Sequence, residues 1–69
     1  MMTTIDISLS RIKHSTAMHL LVLRYQIPNS EMERANQLGW IFIDSNDDIG
    51  VFELAVAIEA EILRELDSK

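Results

Sequence analysis

Carboxylates are the residues with the most chemistry within reach. The chain carries 11 Asp and Glu among 69 residues, and five polar residues run together as Asp44-Ser45-Asn46-Asp47-Asp48. Asp44-x-Asn46-x-Asp48 has the opening spacing of a calcium loop, in which alternate oxygen-bearing side chains converge on a hard cation. That loop also needs glycine at its sixth position and a bidentate glutamate at its twelfth, where this sequence has Ile49 and Ala55. A turn that caps a following helix is the better account of the cluster. His14 and His19 lie about 140° apart around a helix and share no face for a metal. They read as surface or interface histidines, His19 bordering an apolar stripe. There is no cysteine, which removes disulfides and thiolate nucleophiles, and the serines near His14 lack a third orienting group. Gly39 and Gly50 stand alone and make no phosphate loop. A chain this short also has little room for a ligand pocket of about 300–1,000 Å³. No catalytic residue, metal or cofactor is expected, and the chain is not expected to be an enzyme.

The elements that hold these residues follow from the apolar pattern. Residues 2–7 alternate loosely and suit a short strand or an extended arm, with Asp6 or Ser8 capping the helix that follows. A first long helix is expected over residues 9–25. Leu9, Ile12, Thr16, Leu20 and Leu23 form one stripe on it, at nearly heptad spacing. Leu21, Met18, Val22 and Tyr25 lie on the opposite side, so its second half is apolar almost all round and expects a partner on each side. Pro28 ends it. Ser30-Glu31-Met32-Glu33 has the form of a capping box and opens a short helix over residues 31–38, stopped by Gly39. Trp40-Ile41-Phe42-Ile43 is aromatic and β-branched and reads as a buried extended segment. A third helix over residues 48–66 buries Val51, Ala55, Ile58, Ile62 and Leu66, flanked by Phe52 and Leu63. Glu59 falls within that apolar arc, either meeting a base or a subunit seam or lying solvated at the arc's edge.

The charge is divided unevenly. Residues 8–28 contain Arg11, Lys13 and Arg24 and no acid, whereas residues 31–69 contain ten acids against Arg34, Arg64 and Lys69. Opposite charge favours packing of the two halves, within a subunit or between subunits. A sharper reading has the surplus acid facing a basic partner. Asp44, Asp47, Asp48 and Glu53 are then the partner-binding acids and Trp40 and Tyr25 the aromatic anchors. Against it stands the plainer reading of a solvated helix face and a tryptophan in the core. The net charge of −5 argues against direct nucleic-acid binding. A helix-turn-helix would place Glu31 and Glu33 at the end of its recognition helix that meets phosphate, which is the wrong sign. Residues 1–8 lack the basic and apolar regions of a secretory signal. The longest apolar run, Leu20-Leu21-Val22-Leu23, is far short of a membrane span, so a cytoplasmic protein with no membrane partner is expected.

The stretch from Arg11-Ile12-Lys13-His14 through Arg24-Tyr25-Gln26-Ile27-Pro28-Asn29-Ser30, with the length and acidity of the chain, resembles the small early anti-quorum-sensing proteins of Mu-like Pseudomonas phages. The resemblance implies a homodimer that binds a host quorum-sensing transcriptional regulator, keeps it off DNA and inhibits the pilus-assembly ATPase. It transfers no functional residue. The combined expectation is a mainly α protein: two long helices and one short helix with a short extended segment near residues 40–43, in a single helical domain over 1–69. A chain of 69 residues with 48% hydrophobic composition has more apolar surface than a monomer hides, so packing as a homodimer is expected through Ile12, Thr16, His19, Leu20 and Leu23. The expected function is sequestration of a host regulatory protein with a basic surface. The alternative is a small DNA-binding repressor or nucleoid-associated module that uses the basic first helix; a third possibility is a purely structural assembly subunit.

Overall fold

The computed structural model describes residues 4–68, with side chains described from Leu9 onward. Three helices, α1 (Thr4–Leu23), α2 (Met32–Ser45) and α3 (Val51–Asp67), each pack against the other two. A single 3₁₀ turn, Asn29–Glu31, precedes α2. The core comes from all three helices and from Ile27 of the first loop. Its largest fully buried side chains are Leu21, Leu54, Ile58 and Ile62.

On α1 the buried face is His14, Ala17 and Leu21, with Met18 and Leu20 half-buried beside it. The stripe of Leu9, Ile12, Thr16 and Leu23 faces solvent, and only Leu20 is partly covered. Leu21, Met18 and Tyr25 do turn toward the core, whereas Val22 is exposed. The strand or arm expected over residues 2–7 is replaced by helix from Thr4, so Asp6 and Ser8 are helical residues and not caps. Residues 2 and 3 lie outside the described residues. α1 stops at Leu23, two residues before the expected end, and Gln26 takes a left-handed φ of 55° that reverses the chain. Ile27 then donates its amide to Leu21 O at 2.9 Å and drops into the core ahead of Pro28.

The second helix is where the fold departs most from expectation. α2 runs through Gly39 to Ser45, and Trp40-Ile41-Phe42-Ile43 is helical, not extended. Ala35, Leu38, Gly39 and Ile43 are buried on one face at three- and four-residue spacing. Burial of that face outweighs the β preference of four residues, because strand preference mostly reflects packing context. The capping box does not form: Ser30 lies in the 3₁₀ turn, and no side chain caps the first amides of α2. Asp44 and Ser45 end α2, leaving residues 46–50 as the turn. There Asn46 Oδ1 accepts the amide of Asp48 at 3.1 Å. α3 starts at Val51, later than expected, with Gly50 extended just outside it. Ala55, Ile58 and Ile62 are buried as expected and Leu54 joins them; Val51 is half-buried, while Phe52, Leu63 and Leu66 are exposed. Arg34 of α2 holds Glu65 of α3 through two nitrogens, the closer at 2.8 Å.

Candidate functional site

His14 is the one buried polar or charged side chain among the described residues, at 6% exposure. Its Nε2 lies 2.9 Å from Asn36 O on α2. A carbonyl oxygen only accepts, so Nε2 carries the proton and donates. The imidazole stacks on Trp40, with ring centroids 4.2 Å apart and planes 10° from parallel. Gly39 makes room for this contact. A Cβ there would stand 2.7 Å from both Cδ2 and Nε2 of His14 and 3.3 Å from Met18 Cε. Glycine in a helix interior costs about 1 kcal/mol against alanine, and the close α1–α2 approach is what it allows. His14 therefore fixes Trp40, which stays 42% exposed.

Trp40 lines an open groove of about 1030 Å³ between the first half of α1 and the end of α2. Ile41 and Ile43 continue its apolar lining, Arg11 and Lys13 come from α1, and Asp44, Asp47 and Asp48 close the end at the turn. Lys13 Nζ donates to Asp47 O at 2.8 Å and ties α1 to the turn. Among the described residues none of the three carboxylates accepts a hydrogen bond, and all three residues are exposed. The volume exceeds what so short a chain was expected to provide, because this is an open furrow between helices and not an enclosed pocket. It sets an aromatic ring beside three carboxylates, with the cations of Arg11 and Lys13 along the same furrow. Among the described residues no three His, Asp or Glu side chains gather as metal ligands.

The structure thus brings together four of the six expected partner-binding residues: Trp40, Asp44, Asp47 and Asp48. Glu53 sits nearby in the first turn of α3, exposed, with Oε1 against Gly50. Tyr25 is half-buried against the core beyond the C-terminal end of α1, at the opposite end of the bundle from the turn. Of the expected dimer residues, Ile12, Thr16, His19 and Leu23 are exposed and Leu20 is half-buried. His19 Nδ1 is 3.0 Å from Ser15 O on its own helix. Of the two histidines expected at a surface or interface, His19 is exposed, but His14 is a core residue, which apolar spacing alone did not reveal. The available signal was the run of small residues Ala35 and Gly39, four apart on one face of α2 and able to admit a ring.

The other charged contacts are structural. The hydrogen bond from Arg34 to Glu65 raises the Arg34 pKa above its ordinary value, and that from Arg64 to Glu61 does the same for Arg64. Glu59 is half-buried at the edge of α3's apolar arc, and among the described residues it has no hydrogen bond or salt bridge. None of the described helices is long and apolar enough to cross a membrane. No protein-family model, curated protein or solved structure matches the chain.

Proposed function

We propose that this chain is a non-enzymatic protein-binding inhibitor. It pairs with itself through the outward stripe of α1 and uses the Trp40 groove to hold the basic, DNA-contacting surface of a transcriptional regulator. The observation that carries this reading is the juxtaposition of a half-exposed Trp40, fixed by His14, with the exposed carboxylates of Asp44, Asp47 and Asp48. A regulator's DNA-binding surface is cationic because it must meet phosphate. Carboxylates on the turn compete for the same charges, and an aromatic ring already stacked on a buried neighbour adds contact area at little entropic cost. The resemblance to phage anti-quorum-sensing proteins specifies the regulator as a quorum-sensing one, acted on in the host cytoplasm, with the pilus-assembly ATPase as a second target.

The test is a competition assay with the purified regulator and its operator DNA. The wild-type chain displaces the operator, and the combined Asp44→Asn, Asp47→Asn and Asp48→Asn variant loses at least tenfold in potency while remaining helical. A regulator that holds its operator at full affinity in excess wild-type chain overturns the reading. The alternative, direct DNA binding through α1, predicts a gel shift that weakens steeply with salt. Lys13 already bonds the Asp47 carbonyl, and Arg11 shares the groove with three acids, which disfavours it.

A further inference from the structure

Trp40 has one ring face covered and one open. His14 covers the first, stacked nearly parallel with 4.2 Å between ring centroids. The residue is nonetheless 42% exposed, so the surface it shows to solvent is the opposite face of the indole and the ring edge. Arg11 and Lys13 line the same groove, yet among the described residues neither cation lies on the indole. Lys13 is held at the turn instead, where its Nζ donates to Asp47 O.

One turn further along α2 stands Asp44. Residues four apart on a helix share a face, with Cβ atoms about 5–6 Å from each other. Trp40 and Asp44 are both exposed and both line the groove. Among the described residues the Asp44 carboxylate accepts no hydrogen bond and makes no ion pair. The two together present an electron-rich ring face beside a carboxylate, and that combination discriminates between cations. A guanidinium is flat and weakly hydrated, so it can stack on an aromatic face. Its N–H donors lie in its own plane and point outward past the ring, toward a carboxylate alongside. A lysine ammonium is a compact, strongly hydrated point charge with no face to stack.

We infer that the groove recognises arginine in preference to lysine: an arginine side chain of a partner protein stacks on the open face of Trp40 and donates to the Asp44 carboxylate. The inference rests on the functional reading above and deepens it, because it names the side chain by which a basic surface is held. Arg11 sets the limit on the fit. As a cation in the same furrow it opposes any incoming cation, while the carboxylates of Asp44, Asp47 and Asp48 outnumber the charges of Arg11 and Lys13. Removing the Arg11 charge should therefore tighten the binding of either cation, whereas the preference between them belongs to Trp40 and Asp44.

Isothermal titration calorimetry of the full chain tests this with two acetylated, amidated octapeptides of equal charge, in which glycine alternates with arginine or with lysine. At equal salt the arginine peptide is expected to bind about fivefold more tightly. Its δ-methylene proton resonances should also move upfield, because they lie over the indole. Trp40→Leu and, separately, Asp44→Asn narrow the preference to about twofold or less, and Arg11→Gln tightens both peptides. Asp44 is exposed, so its variant keeps the test readable even where loss of the ring disturbs the contact with His14. Equal affinity of the two peptides for the wild type overturns the inference, as does a preference that survives both substitutions in helical chains. Absence of binding by either peptide at millimolar concentration overturns it too. In each case the regulator reading is decided separately, by displacement of operator DNA, so the two failures are distinct.

Discussion

Gly39 is the residue on which the α1–α2 contact turns. Alanine there gains about 1 kcal/mol of helix propensity, but its methyl group meets His14 at 2.7 Å. The ring cannot simply retreat, because it is stacked on Trp40 and bonded to Asn36 O. Gly39→Ala is therefore expected to destabilise the fold by about 1–3 kcal/mol, the usual range for overpacking, measured by urea denaturation. In a His14→Ala background the obstacle is gone, and Gly39→Ala should become neutral or stabilising. A penalty of the same size in both backgrounds would mean that the glycine serves something other than the ring. Gln26 invites the opposite experiment. Its φ of 55° places a side chain where L-residues are disfavoured by about 1–2 kcal/mol. Gln26→Gly should raise stability by up to about 1 kcal/mol in the same assay, less whatever glycine's freer unfolded chain takes back.

Among the elements, α3 was the most legible in the sequence. Ala55, Ile58 and Ile62 repeat at helical spacing, and that stripe is the core face. Ile58→Ala should accordingly cost about 2–5 kcal/mol, read from the denaturation midpoint. Arg34→Ala should cost only about 0.2–1 kcal/mol, because both partners of its ion pair with Glu65 are partly exposed. α2 was legible only up to Gly39. Read locally, a glycine followed by Trp40-Ile41-Phe42-Ile43 is a helix stop and a strand. The reason for glycine at that position lies 25 residues away, in a histidine on another helix, and no local pattern contains it. The wheel of α1 misled for a related reason. Two apolar arcs were visible, but which one faced the core depended on where small residues of α2 let α1 approach. The groove was half legible: its acids and Trp40 were singled out, but joining them required knowing that residues 40–45 are helical and run beside Arg11 and Lys13.

At the scale of the whole molecule, the groove and the outward stripe of α1 meet at Leu9, which lines the groove beside Trp40. The groove opens between α1 and α2, and the rest of the stripe, Ile12, Thr16 and Leu23, faces solvent outside it. Self-pairing through that stripe, as proposed above, would let one assembly present Trp40, Asp44, Asp47 and Asp48 twice to a two-fold partner. Stability should follow the same logic. If self-association supplies what a 69-residue core lacks, the thermal midpoint will climb with protein concentration by mass action. A midpoint that stays fixed across a hundredfold dilution series would count against coupling between folding and pairing.

Trp40 is the chain's only tryptophan, and it is clamped by His14 on the groove side of the molecule. Its fluorescence is therefore a built-in optical gauge that needs no label. Filling the groove should shift and quench the emission, whereas joining two copies through Ile12, Thr16 and Leu23, which lie outside the groove lining, should change it far less. Titration and dilution of the unmodified chain would then separate, by colour alone, a protein meeting its target from a protein meeting itself.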